Sequence, residues 1–195
     1  MKKLTWLIPV GALVVAIFWI MGQYNGFVHK KQTVEQSWAQ VENVLQRRSD
    51  LIPNLMNVVQ SYAVHEQSVF IQVAQARSLW NKTAANPQAT IEEKMTVDRQ
   101  LSGALFNLMA VVERYPDLKA NQNFMALQDE LAGTENRIAV ERMRFNESVQ
   151  GYNVFAQTFP RNWLAGVFSF PAERVYFKAV EGAAAAPKVE MQFNR

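Results

Sequence analysis

Cysteine is absent from this chain of 195 residues, histidine occurs twice, and there are only 8 glycines and 7 prolines. Without cysteine there is no disulfide framework, no thiolate metal ligand and no thiol nucleophile. So little glycine and proline excludes a fibrous or low-complexity chain, and a hydrophobic content of 49% excludes a disordered tail. Charge of one sign is lacking too. The formal net charge is +3, and setting aside residues 1–23 removes Lys2 and Lys3 and leaves 18 basic side chains against 17 acidic ones. That near-neutral remainder has no footprint for nucleic acid. The length corresponds to one domain rather than two.

What is present begins with an apolar N-terminus. Lys2 and Lys3 precede an uncharged run over residues 4–22, which as a helix is about 28 Å long, close to the hydrocarbon thickness of a bilayer. Pro9 falls in its first turns, where a missing N–H matters least, and Trp6 and Trp19 lie near its two ends, where indoles favour the interface. A cleaved signal peptide shares the charged start and the apolar run. Cleavage needs small residues two apart, however, and residues 20–26 contain no such pair. The expectation is an uncleaved signal anchor crossing the bacterial inner membrane once. Lys30 and Lys31 on the far side nearly balance Lys2, Lys3 and the amino group, and the short tail tips the orientation toward N-in, with the domain outside the cytoplasm.

Beyond residue 23 the apolar period is helical. Val34, Trp38, Val41 and Leu45 share one helix face, and Leu55, Val58, Tyr62, Val69, Val73, Ala76 and Trp80 extend a stripe of the same period. Ser49 and Asp50 before Pro53 predict a helix boundary with one of them as cap; a kinked continuous helix is the alternative. Residues 81–88 read as a loop, and Thr90 with Glu93 as a capping box. Ile91, Met95, Leu101, Leu105, Leu108, Val112 and Tyr115 form the inner face of a third helix stopped by Pro116. A fourth runs over residues 121–157 with Phe124, Leu127, Leu131, Ile138, Phe145, Val149 and Tyr152 inward. Residues 174–177 are the one candidate strand. The expected fold is all-α, a long antiparallel helical bundle preceded by one N-terminal transmembrane helix. Its parts are an anchor at 1–23, a bundle at 24–160, and an aromatic irregular segment with a flexible tail at 161–195.

Chemistry-bearing patterns are few. His65 and Glu66 are adjacent, and neighbours on a helix diverge by about 100 degrees, so they cannot easily grip one ion. There is no pair of Glu-x-x-His motifs for a di-iron centre, and no metal or cofactor is expected. More telling are charges among apolar positions. Glu66 falls between Tyr62 and Val69, and Glu135 and Arg142 fall among Leu131, Ile138 and Phe145. Such charges need partners, which Arg47, Arg48, Arg77, Arg114 and Arg137 can supply. Arg48, Glu66, Arg77, Glu135, Arg137 and Arg142 are therefore expected to form a structural polar network. Removing Glu66 or Arg137 would then lower stability by about 3 kcal/mol if its partner is buried. The competing reading makes Glu66, Glu135 and Arg137 the site of a ligand sensor or hydrolase, which requires an open cleft. Asn121, Asn123, Asn136, Asn146 and Asn153 crowd one half of the chain, where they would cap helices or bond carbonyls at junctions.

Several strings follow one another in order: Arg47-Arg48-Ser49-Asp50-Leu51-Ile52-Pro53-Asn54-Leu55, His65-Glu66, Ala76-Arg77, Glu113-Arg114-Tyr115-Pro116-Asp117-Leu118-Lys119-Ala120-Asn121, Leu127-Gln128, Thr134-Glu135-Asn136-Arg137-Ile138-Ala139, Tyr152-Asn153 and Phe159-Pro160. Together they resemble the LemA family of bacterial membrane-associated proteins, over residues 24–170 and including the preceding anchor. The resemblance implies an antiparallel helical domain on one membrane helix. It also implies links in some relatives to membrane remodelling or to envelope and signalling phenotypes, and it brings no established active site. Two positions depart from the family pattern. Phe145 replaces a usual Tyr before Asn146, and Ser169 replaces a usual Gly between aromatics, which weakens the expectation of a left-handed turn there.

The function expected is a membrane-anchored scaffold or adaptor of the cell envelope without catalytic activity. Its partners are the lipid bilayer, further copies of itself and an envelope protein. Self-association is argued from surplus apolar surface: Met125, Val140 and Met143 lie beside the main stripe of the fourth helix, and residues 163–170 add aromatics. A tail folded back over that surplus is the competing expectation.

Overall fold

The computed structural model describes residues 7–177. Lys2, Lys3, Trp6 and the expected flexible tail beyond residue 177 lie outside the described residues. Within them the chain forms α1 (Leu7–Gln60), α2 (Gln67–Ala84), α3 (Ile91–Val112), α4 (Pro116–Lys119), α5 (Gln122–Gln157) and α6 (Arg161–Val167), with no strand among the described residues.

The anchor and the first bundle helix are one continuous element of 54 residues. Its first part carries Leu13, Val15, Ile17 and Phe18 exposed, outside the buried core. This segment is long and apolar enough to cross a membrane. From Phe27 onward a single buried stripe takes over: Phe27, Val34, Trp38, Val41, Leu45, Ile52, Leu55 and Val59. The boundary expected between residues 23 and 24 is thus a change in what surrounds the helix, with no break in its backbone.

The boundary expected at Ser49 and Asp50 is also absent, because α1 runs straight through Pro53. Proline at that position has no N–H to offer the Ser49 carbonyl four residues earlier, and its ring crowds that carbonyl outward. The orphaned oxygen is taken up by α2, where Arg77 Nε donates to Ser49 O at 2.9 Å. Ser49 Oγ reaches Asn81 Oδ1 at 3.0 Å beside it. A tertiary donor thus replaces the helical one, and the helix continues. The actual turn comes later, over residues 61–66, and it resets the helical phase. Tyr62 and Val58, expected inward, are exposed and half-buried, while Val59, Ala63 and Phe70 are buried instead.

The antiparallel pairing of α1 with α5 can be followed from end to end. Arg47 meets Glu130 at 2.8 Å, Ser37 Oγ meets Ser148 Oγ at 2.6 Å, the Phe27 and Phe155 rings lie 5.0 Å apart, and Arg161 Nε donates to Gln23 Oε1 at 2.7 Å. Gly26 permits this approach, since a Cβ there would lie 2.6 Å from Phe155 Cζ. The α2–α3 hairpin packs beside the lower part of α1. The Thr90–Glu93 capping box opens α3, and Asn121 caps α5 by accepting from Phe124 N.

Residues 161–167 were expected to be irregular, yet they form α6, because Leu164, Ala165 and Phe168 give it an inward face. The corner that follows corrects a second expectation. Ser169 adopts φ 57, so the left-handed turn forms without glycine. Residues 171–177 then run back along α5 as an extended strap that is not a strand.

Candidate functional site

At mid-bundle, where α1, α3 and α5 meet, a carboxylate without solvent access sits between two guanidiniums. Asp98 Oδ1 accepts from Arg48 Nη2, and its Oδ2 accepts from Arg142 Nη2. Arg48 Nη1 also donates to Glu135 Oε1 at 2.8 Å and to Ser102 Oγ at 3.0 Å. The side chains of Arg48 and Asp98 are 1% and 0% exposed, whereas Arg142 and Glu135 retain 31% and 46%. Two cations and two carboxylates thus balance, with the dry pair inside and the wetter pair at the rim. This arrangement can hold three helices in one register: a buried charge left unmatched by a sliding helix costs several kcal/mol. Asp98 has no exposed surface and both of its oxygens are taken by guanidiniums, which leaves this carboxylate no free face.

The six residues expected to form one network separate into distinct places. Arg48, Glu135 and Arg142 come together around Asp98. Glu66 belongs to another junction, pairing with Arg114 Nη2 at 2.9 Å and accepting from Tyr115 Oη at 3.4 Å. Arg77 serves the Ser49 carbonyl. Arg137 is exposed on α5 and makes no ion pair among the described residues. The proposed sensor cluster of Glu66, Glu135 and Arg137 is therefore not assembled, since helical phase carries Arg137 about 200 degrees around α5 from Glu135. His65 is exposed, and no group of metal-binding residues forms among the described residues.

Asp98 was missed from sequence, although it had a signal. The inner face of α3 steps through 91, 95, 101, 105, 108 and 112, and the helical period requires an inward residue near 98. An acid occupying that gap needed a cation from another helix.

A second polar arrangement fastens the strap. Asn153 on α5 accepts from Arg174 N at 2.8 Å and donates to Arg174 O at 3.0 Å. One heptad earlier Asn146 does the same with Phe177, accepting at 2.8 Å and donating at 3.1 Å. Each carboxamide presents one donor and one acceptor in a plane, so it imitates a neighbouring strand and satisfies the strap's backbone where no strand exists. Tyr152 Oη donates to Pro171 O at 2.7 Å. Burial raises the Tyr152 phenol above its ordinary pKa, partly opposed by the nearby Arg174. Phe177, at the end of the strap, stacks on Trp38 and lies under Arg142, whose guanidinium is 4.8 Å from the ring centre. The strap thus closes over the rim of the Asp98 junction and covers the upper bundle that the α2–α3 hairpin leaves bare.

The sequence model of the LemA family matches residues 37–193 of this chain, which include both the Asp98 junction and the strap. The chain is 28% identical over 184 residues to "Magnetosome protein MamQ" of Magnetospirillum gryphiswaldense, covering 84% of this chain and 68% of that one. It is 26% identical over 184 residues, with the same coverages, to "Magnetosome protein MamQ 2" of Paramagnetospirillum magneticum. It is also similar to "Protein LemA" of Metamycoplasma hominis, at 23% identity over 155 residues, 78% of this chain and 69% of that one.

Proposed function

Because this chain belongs to the LemA family, we propose that it is a membrane-anchored helical scaffold or adaptor of the bacterial envelope, self-associating and without catalytic chemistry of its own. The observation that carries this reading is α1, a single helix whose bare apolar half continues into the bundle core. An enzyme or a diffusing sensor has no need to join its core to a membrane span without a linker; a scaffold that holds a partner at a set height above a bilayer does. The neutral, enclosed Asp98 junction and the doubly bonded strap support a rigid rather than a reactive centre. The span crosses once as an uncleaved anchor, N-in, with the bundle on the outer face of the inner membrane.

Self-association draws support from Met125, Val140 and Met143, which stay exposed on α5, and from Phe106, which is exposed on α3. Confinement to two dimensions raises the effective concentration of neighbouring copies. Cross-linking in native membranes followed by mass spectrometry is expected to recover copy-to-copy links through α5. A detergent-extracted full-length protein that keeps monomer mass over a wide concentration range would overturn self-association. A mature N-terminus beyond Gly22 would overturn the uncleaved anchor.

A further inference from the structure

α5 runs toward the anchor end of α1, so whatever follows Gln157 caps the membrane-facing end of the bundle. There, within about two turns of the last apolar residue of the span, the corner that closes α6 packs on Tyr24 and Phe27. The Tyr24 and Phe168 rings lie 5.2 Å apart, and Phe27 stacks on Phe170 at 5.0 Å. The outer side of α6, continued back to Phe159, is a second apolar face that touches nothing else among the described residues. Phe159, Trp163 and Val167 recur every four residues and are 72%, 73% and 75% exposed, and the Phe159 and Trp163 rings meet edge to face at 6.1 Å. Three large apolar groups in line, this bare, are poorly suited to water. At this height above a span, one occupant is available to every copy of the chain: the bilayer surface itself.

We propose that α6 is a membrane-docking foot, with Phe159, Trp163 and Val167 seated in the phospholipid headgroup region of the leaflet from which α1 emerges. Tryptophan favours that zone, and short amphipathic segments there bury their apolar face about 5–10 Å deep. Arg161 stands at the base of the same segment, over the Phe155 ring at 4.2 Å, and makes no ion pair among the described residues. With Lys30, on α1, it supplies cations near phosphate height, whereas Lys31 lies 3.8 Å from Glu35. The foot gives the bundle a second point of contact with the membrane and thereby fixes its tilt. This inference rests on the membrane-anchor reading of α1.

The absence of cysteine makes a single introduced thiol unique. Three full-length variants, Val167→Cys, Leu13→Cys and Val64→Cys, each carry an environment-sensitive fluorophore. They are reconstituted in phosphatidylcholine–phosphatidylglycerol vesicles containing lipids with a nitroxide at a shallow acyl position. All three positions are well exposed, so labelling leaves the packing intact. Val64 lies in the turn beyond the far end of α1, whose last residue Gln60 is about 54 Å along the helix from Tyr24. The Val167 label is expected to show blue-shifted emission and to lose most of it to the nitroxide lipid, while the Val64 label loses none. A Leu13 label in lipid beside a Val167 label that behaves like Val64 overturns the foot and leaves the anchor standing. A Val167 label shielded from water yet untouched by the nitroxide lipid means that protein covers the face, a second copy or the chain's own tail, and also overturns it. A Leu13 label exposed to water removes the anchor and the foot together.

Discussion

If Arg77 stands in for the hydrogen bond that Pro53 forfeits, the two residues must be energetically coupled although neither side chain bonds the other. Arg77→Met keeps the aliphatic stem and removes the donor. Ser49 is 0% exposed, so its carbonyl is left unpaired out of reach of bulk water, a loss of about 1.5–3 kcal/mol for a bond from a charged donor. Pro53→Ala returns a backbone N–H to the same oxygen. Relief from proline in a helix interior is worth up to about 3 kcal/mol, reduced by the entropy that proline removes from the unfolded chain, roughly 0.4–1 kcal/mol. A carbonyl oxygen has two lone pairs, so the Arg77 bond and the restored helical bond coexist in Pro53→Ala. In that background Arg77→Met no longer orphans the oxygen, and its effect falls to about 1 kcal/mol. The cycle therefore predicts a coupling of about 1–2 kcal/mol. Denaturant unfolding of the four chains in mild detergent, followed by circular dichroism, measures it. Water drawn from the groove beside Pro53, Met56, Ser78 and Asn81 would satisfy the carbonyl in either background and erase the coupling. Additivity within about 0.5 kcal/mol would thus refute the substitution of a tertiary donor for the helical one.

Asp98→Asn is expected to lower stability by about 3–5 kcal/mol in the same unfolding assay, because it removes the buried negative charge shared by Arg48 and Arg142 and leaves the enclosed Arg48 with only the half-exposed Glu135 as counter-charge; a loss below 1 kcal/mol sinks the register argument. Arg137→Ala should fall within about 0.5 kcal/mol of the parent, and Glu66→Ala should cost about 1 kcal/mol since its partner Arg114 is largely exposed; both replace the value of about 3 kcal/mol expected from sequence alone. Asn153→Leu removes both bonds to Arg174, worth about 2 kcal/mol together, and hydrogen exchange at the Arg174 and Phe177 amides should quicken on the order of thirtyfold; unchanged protection would mean that the rings, not the carboxamides, hold the strap. Burial keeps Tyr152 protonated in the folded chain after its unfolded counterpart has begun to ionise, so the unfolded state binds fewer protons above about pH 10. Stability is accordingly full below that pH and declines as the pH rises through the raised folded value. Tyr152→Phe, with no phenol to titrate, should flatten this alkaline decline in a thermal-melt series, and an equally steep decline would assign it elsewhere.

The parts of this architecture legible in the sequence were those set by local rules. The capping box at Thr90 and the cap at Asn121 depend on neighbours three residues away, and the structure has them where the pattern put them, while α3 ends at Val112, short of Pro116, which opens α4. Misreadings arose where a distant group changed the local outcome. Pro53 is a helix breaker until a guanidinium from α2 reaches its orphaned carbonyl. Residues 174–177 read as a strand because their backbone is extended and paired, but the pairing partner is two side chains on a helix. Arg137 and Glu66 appeared to belong with Glu135 because residue type was legible and angular position was not. Asp98 is the opposite case: its position is legible from the α3 period, and only the partners on α1 and α5 show what its charge does.

The path of α1 also decides how the two halves of the molecule act on one another. A helix that passes from its apolar segment to the bundle without a loop transmits any tilt of that segment, and Gly26, against which the Phe155 ring of α5 lies, is a point of contact rather than a hinge. The strap and the Asp98 junction lie farther along the same rod. Phe177 bridges Trp38 on α1 and Arg142 on α5, so sliding α1 along α5 would have to break the aromatic stack and the ion network together. Neither yields gradually: a packed stack and a buried carboxylate between two guanidiniums each keep one arrangement or lose it. The bundle is therefore built to keep a fixed shape. Substitutions that strengthen the junction should leave membrane retention unchanged, because the span contributes nothing to the junction and the junction contributes nothing to the span.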